Sequence, residues 1–247
     1  MSELTPSQYD QMWSQLGDFI RYNPGARHRR RLVWNILNEL QFDTFADIGC
    51  GRGEFIRMLS HRSPKVRRMI GTDFAEETLG AVRRELPSAE FFTLDIARDY
   101  LGEAFGVVLC SEVIEHVSQQ EQAIRNLSAM VKPQGHLIVT CPTGRMFSTE
   151  VSFGHVRHPT AHDMQAWGEA AGLETVESYC WGWPTYYLLK YATNINPDFA
   201  NRQFGSGEYS RFKIAVNDLL YWITALSLPK SPYGCQLIWH YKKNTSD

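Results

Sequence analysis

The chain has 247 residues, 43% hydrophobic, with 25 basic and 27 acidic side chains and a formal net charge of −2. That is ample for one α/β domain with elaborations, and the near-neutral balance demands neither nucleic acid nor an anionic membrane as partner. Five scattered cysteines (50, 110, 141, 180 and 235) without a C-x-x-C pair fit reduced thiols in a cytoplasmic compartment better than a disulfide framework or a zinc knuckle. The polar start, Met1 to Asp10, is no secretory signal, and no run of about 18 apolar residues offers a membrane span.

In chain order, residues 1–24 read as a short helix ending near Asn23-Pro24-Gly25, and 27–40 as a second helix with Leu32, Val33, Ile36, Leu37 and Leu40 on one face. Five strand-like runs follow: Phe42–Ile48, Val66–Thr72, Ala89–Leu94, Gly106–Cys110 and His136–Cys141. Helical patterns near 53–61, 76–86 and 119–131 alternate with them, and Lys132-Pro133-Gln134-Gly135 reads as a turn. Strict alternation predicts βαβ units and a mostly parallel sheet with helices on both faces. A polar segment (142–161), a helix (162–171) and a sixth strand (Leu173–Cys180) come next. An aromatic-rich insertion, 181–231, holds a helix at 208–226, and a seventh strand, Cys235–Tyr241, closes the chain. The expected organisation is a single domain: a helical arm (1–40), a core (41–180), an insertion (181–231) and a final strand (232–247).

The first strand runs into Asp47-Ile48-Gly49-Cys50-Gly51-Arg52-Gly53, a glycine turn that opens a helix. Asp73 closes the second strand and Asp95 the third. In an open α/β sheet ligands bind beyond the carboxyl ends of the strands, so the three acids should converge on one crevice. Asp73 suits a pair of ribose hydroxyls, and Asp95 could reach an adenine amino group. A dinucleotide would need G-x-G-x-x-G, yet the position three after Gly51 is Glu54. An acid at the loop entrance repels pyrophosphate and favours an ammonium.

Together with Ser111-Glu112-Val113-Ile114-Glu115-His116-Val117 and the turn 132–135, these residues resemble the class I S-adenosylmethionine-dependent methyltransferases. The resemblance covers roughly residues 30–180. It implies a Rossmann-like seven-stranded sheet with its last strand antiparallel, and methyl transfer from the sulfonium of S-adenosylmethionine. Asp47 and Gly49 would line the methionine end, Asp73 the ribose, and Asp95 with Ile96 the adenine. Cys50, Gly51, Gly53, Phe74 and Ser111 would complete the cofactor site.

On a helix, Glu112, Glu115 and His116 fall at i, i+3 and i+4, on one face. Two carboxylates and an imidazole can ligate a divalent cation, or His116 can act as base beside an acid. Either would activate a hydroxyl acceptor. The run is similar to ubiquinone-pathway O-methyltransferases and small-RNA 3′-terminal 2′-O-methyltransferases, which implies a metal held by both glutamates, this histidine and a later one. His155, His158 and His162 are all available, and His158 is the one provisionally placed with Glu112, Glu115 and His116. Arg27-His28-Arg29-Arg30-Arg31 reads as a solvated helix start or as a clamp for an anionic substrate. Five residues are too few to argue for nucleic acid.

The insertion aromatics suggest a lid over the acceptor or simply a helical cap's own core, and Asn194 to Gly207 suggests a mobile flap. The segments Gly154-His155-Val156-Arg157-His158 and Trp181-Gly182-Trp183-Pro184 are similar to methyltransferases acting on sugars or lipid-linked glycans. That places His155, Arg157, Trp181, Trp183 and Tyr186 at the acceptor. The function expected is O-methylation of a small-molecule or glycan-type acceptor. The alternatives are an RNA 3′-terminal 2′-O-methyltransferase and a catalytically silent, cofactor-binding partner subunit. A homodimer is compatible with each.

Overall fold

The structure, a computed structural model, describes residues 3–63, 65–204 and 207–245. Seven strands make one sheet: β1 (Thr44–Ile48), β2 (Arg68–Asp73), β3 (Glu90–Thr93), β4 (Phe105–Ser111), β5 (Val131–Pro142), β6 (Leu173–Trp181) and β7 (Gln236–Lys243). Their spatial order is β3-β2-β1-β4-β5-β7-β6, and only β7 runs antiparallel to its neighbours. The order reverses at β1, where strands β2 and β4 flank it. That switch point is where a ligand crevice belongs.

Successive residues of a strand point to opposite faces, and here both faces are buried. Ala46, Val108, Cys110 and Leu137 pack on one side with α6 (Gln120–Ala129) and α8 (Ala161–Ala170). Phe45, Val107, Leu109 and Ile138 pack on the other with α3 (Pro24–Glu39), α4 (Glu54–Arg62) and α5 (Glu76–Glu85). Runs buried on both faces read as continuous apolar stretches, which is why the strands are visible in the sequence.

Several expectations change. The helix expected over 1–24 is two, α1 (Pro6–Leu16) and α2 (Phe19–Tyr22), broken at Gly17. The turn 132–135 is absorbed into β5, whose pairing with β4 slips register between Phe105 and Val107 of β4 and which carries Gln134 at φ 62°. The polar segment contains a short helix, α7 (Ser148–Ser152). The insertion holds three helices, α9 (Thr185–Ile195), α10 (Pro197–Phe204) and α11 (Arg211–Thr224). The expected flap is therefore mostly helix, and its Gly205 and Ser206 lie outside the described residues.

Candidate functional site

Three connected hollows sit at the carboxyl ends of β1, β2 and β4. The first, about 130 Å³, is lined by Asp73, Phe74, Leu94, Asp95, Ile96 and Ala97. The second, about 120 Å³, is lined by Asp47, Gly49, Cys50, Arg29, Arg30 and Ser111. The third, about 600 Å³, lies beneath the insertion and includes Glu115, His155, Tyr186 and Lys190. Trp13 and Glu112 border all three, so they mark the junction.

The glycine loop shapes this junction. Gly49 and Gly51 have φ of 74° and 51°, which an L side chain rarely adopts. A Cβ at Gly49 would overlap Val113, and one at Gly51 would overlap the Trp13 ring. The N-terminal arm therefore closes over the loop because the loop has no side chain there. Asp10 of α1 accepts from the Thr78 amide (2.9 Å) and hydroxyl (3.0 Å) in the first turn of α5, pinning the arm. Tyr9 packs edge-on against Phe74 and His116, with centroids 6.3 and 5.8 Å away.

Asp73 and Asp95 line the first hollow and Asp47 the adjoining second one. Asp73 is buried; its Oδ2 accepts from the Gly51 amide at 2.8 Å and its Oδ1 from the Ala75 amide at 3.0 Å. Burial raises its pKa against the lowering effect of these amides. Asp95 accepts from the Ala97 amide at 3.0 Å and faces Arg98 at 3.2 Å. Asp47 is buried with one carboxylate oxygen unpartnered. Burial, and then the charge of Asp73, push its pKa up to about 8. A buried carboxyl without a partner cation is held largely neutral, and a cationic group beside it would restore its charge.

The basic run is not a solvated helix start. Arg27 bonds Asp218 at 2.6 Å and lies over the Tyr221 ring. His28 is fully buried, stacked on Tyr221, with Nε2 3.1 Å from both the Tyr221 carbonyl and the Thr224 hydroxyl. Arg30 donates to the carbonyls of Ile20 (2.8 Å) and Arg21 (2.9 Å). Arg29 faces Glu112 at 3.5 Å.

Glu112, Glu115 and His116 do not share a helix face. Glu112 lies before a single 3₁₀ turn, Ile114–His116, and has φ 60°, a strained value for a side-chain-bearing residue. That conformation turns its carboxylate to β5 and β7: Oε1 accepts from Gln236 at 2.7 Å and Thr140 at 3.1 Å. Glu112 is thus engaged, and neither group of approaching ligand atoms includes it. The groups that do approach one another are Glu115, His116 and His155, each with a ligating atom within 4.8 Å of the others. Glu150, His155 and His158 form an adjoining group of the same kind.

Both Glu115 oxygens and His116 Nδ1 are buried without partners. Burial lifts the Glu115 carboxyl well above its usual range and lowers His116 to about 4 and His155 to about 2. Both imidazoles are therefore neutral near pH 7, with a lone pair to offer. Gln120 fixes the layer, donating to Ile114 O at 2.8 Å and Arg157 O at 2.9 Å. His158 Nε2 stands 3.0 Å from His155 Nδ1, and Lys190 bonds Glu150 at 2.6 Å.

Three residues expected at the acceptor lie elsewhere. Trp181 is core, 1% exposed between Tyr186 and His28. Trp183 packs on Tyr187 and Tyr233, and Arg157 pairs with Asp163 at 2.6 Å. Only Tyr186 and His155 of that set line the large cavity. Sequence reasoning missed Trp13, Tyr9, Glu150 and Lys190. The first two sit on an amphipathic helix face that reads as ordinary packing, and the last two carry no motif.

A model of a methyltransferase domain family matches residues 26–178, more than half of the chain. A trans-aconitate 2-methyltransferase of Variovorax paradoxus (strain S110) is 33% identical over 100 residues, 40% of this chain and 38% of that protein. The chain's matches span about half or less of the length of most such curated relatives. Two solved structures share the fold at 16% identity. The N-methyltransferase NodS of Bradyrhizobium japonicum WM9, in complex with S-adenosyl-L-homocysteine, has a TM-score of 0.61 over 96% of this chain and 97% of that one. The [4+2]-cyclase SpnF has a TM-score of 0.66 over 100% and 99%. The sheet order, the acid-lined crevice and the family match agree: the chain belongs to the methyltransferase-domain family, class I and S-adenosylmethionine-dependent.

Proposed function

We propose that the protein transfers the methyl group of S-adenosylmethionine to an oxygen of a small-molecule or glycan-type acceptor held in the 600 Å³ cavity. The observation that carries this reading is the buried Glu115 carboxyl, both oxygens unpartnered, beside His116 and His155 at the edge of the cofactor crevice. Asp73 would bind the ribose and Asp95 the adenine edge. Asp47 would face the methionine ammonium. In transfer, a C–O bond forms as the S–C bond breaks, the sulfonium becomes a neutral thioether, and the hydroxyl proton passes to His116. Holding oxygen, methyl and sulfur in line supplies most of the rate.

The same three side chains also fit a divalent cation, since one orphaned carboxylate and two neutral imidazoles are its usual donors. Such an ion would supply Lewis-acid activation of the hydroxyl. Glu112 and His158, expected as ligands, would then sit outside the first layer, with Glu112 positioned by Gln236 and Thr140.

Most of the curated relatives are named for trans-aconitate, a carboxylate-rich acceptor that needs free cations. Arg29 and Lys190, the cations on this cavity's lining, face Glu112 and Glu150 instead. That favours a hydroxyl acceptor and also argues against an RNA terminus, which needs a basic groove. The intact Asp47, Asp73 and Asp95 keep a silent cofactor-binding subunit open as the second reading. A cytoplasmic monomer or homodimer, organised as arm (1–40), core, insertion and final strand, completes the proposal.

Release of S-adenosylhomocysteine from a panel of phenols, sugars and hydroxylated lipids, measured by mass spectrometry with and without chelator, tests it. Release on any hydroxyl acceptor supports transfer, and loss with chelator assigns the metal. No release across the panel favours the silent subunit.

A further inference from the structure

The two longer helices of the insertion are apolar on both sides. Leu220 of α11 faces the cavity. Its outer side shows Phe212, Leu219, Trp222, Ile223 and, just past its end, Leu226 to solvent, with Phe212 77% and Trp222 68% exposed. With Ala215 these residues recur at steps of three, four, three, one and three, one continuous stripe on a helix of 3.6 residues per turn. In α9, Leu189, Lys190 and Thr193 line the cavity, while Leu188, Tyr191 and Ile195 are exposed at i, i+3 and i+7. The two helices pack on each other. A water-facing helix side is normally polar, and a contiguous apolar patch marks an interaction surface.

The cavity indicates what covers it. Ile195 and Phe199 line the cavity and are also exposed, 84% and 52%, so its mouth opens through the apolar surface. Its lining carries an apolar set (Leu16, Phe19, Ile20, Leu189) and a polar set, with Asn194, Asn196 and Asn201 flanking the mouth residues and Glu115, His116 and His155 beside the crevice. That combination suits the tail and head of an amphiphile. A protein seated over both stripes would close the mouth. Charges bordering α11 nearly cancel: Arg211 and Lys213 stand against Glu208 and Asp218, and Asp218 is already paired with Arg27. No described helix is long and apolar enough to cross a membrane.

We propose that the outer faces of α9 and α11 seat on a phospholipid surface, and that the acceptor is an amphiphile entering the cavity from that surface through the Ile195–Phe199 mouth. The acceptor half rests on the cavity being the methyl-acceptor site; the docking half stands on the exposed stripes. Binding then comes from insertion of apolar side chains at the interface, not from attraction to anionic lipid.

The test is flotation of the full chain with phosphatidylcholine vesicles, with and without a quarter phosphatidylglycerol. The wild type is expected to float with both, at low and at high salt. L219D/W222D is expected to lower the vesicle partition at least tenfold and leave S-adenosylmethionine affinity unchanged by calorimetry. Wild type that stays in the buffer with every vesicle overturns the proposal. So does a dimer in sedimentation velocity that the same substitutions disperse, which would assign the stripes to a second copy. Flotation without methyl transfer on any acceptor leaves docking standing and breaks the transfer reading. Transfer to soluble acceptors without flotation does the reverse.

Discussion

The cofactor crevice and the acceptor cavity share a wall but are built in opposite ways. The crevice rests on strand ends: Asp47, Asp73 and Asp95 sit at or just past β1, β2 and β3, and Asp73 is tied to the Gly51 and Ala75 amides. The cavity is gathered from the arm, α3, the turn after β4, the 147–158 segment, α9 to α11 and β7. Its key groups, Glu115 and His116, keep orphaned polar atoms. A preorganised crevice serves one constant cofactor; a cavity walled by an insertion leaves the acceptor free to differ between relatives.

If the two halves are separable in this way, variants should sort cleanly. The largest effect is expected from Asp73→Ala, which removes the proposed ribose acceptor and the anchor of the glycine loop together. S-adenosylmethionine affinity by calorimetry should fall by ~100-fold or more, since hydrogen bonds to a charged group contribute about 1.5–3 kcal/mol each. Unchanged affinity would overturn the ribose assignment. Glu115→Gln and His155→Ala should do the converse: methyl transfer falls by ~100-fold, as for loss of a base or ligand, while cofactor affinity holds. Loss of cofactor binding in both would mean that the halves form one unit.

Asp47→Asn sharpens the contrast, because the crevice carries strain when empty. With a folded pKa near 8 against 3.8 unfolded, Asp47 contributes stability that is full below about pH 4 and lost as pH rises through 8. At pH 8 and above, the neutral amide should therefore stabilise the cofactor-free protein, by about 2 kcal/mol or ~4–8 °C in Tm, and weaken binding of the cationic cofactor. A lower Tm with unchanged binding would show that Asp47 is structural.

How far each half can be read from sequence follows from the same difference. The strands are buried on both faces, so Phe45–Ile48 and Val107–Cys110 stand out as apolar runs, and the acids at their ends follow from chain order. The Glu112–His116 spacing suggested a helix, but Glu112 at φ 60° breaks it, and no local pattern announces a residue held by Gln236, 124 positions later. The polar run Asn194 to Gly207, with Pro197 and two glycines, reads as a flap, yet proline suits the first turn of a helix, and Pro197 opens α10. Trp181 looked like a ligand platform and is core, since sequence does not say which aromatic is covered.

The smallest expected effect concerns His28, which joins the arm side to the insertion side. Its ring is stacked between Tyr221 and Trp181, its Nε2 is engaged with α11, and Nδ1 has no partner. Burial, helped by the charge of Arg31, lowers its pKa to about 4. The unfolded chain, with an ordinary imidazole at 6.5, binds the proton more readily, so stability is complete above about pH 6.5 and lost as pH falls toward 4. The slope from this one group approaches about 1.4 kcal/mol per pH unit within that window. His28→Phe keeps the stacking and removes the proton, so its stability should start lower at pH 7 and fall less steeply to pH 5 in urea titrations. Parallel pH profiles for the two proteins would show that the contact between α3 and α11 does not depend on a neutral imidazole.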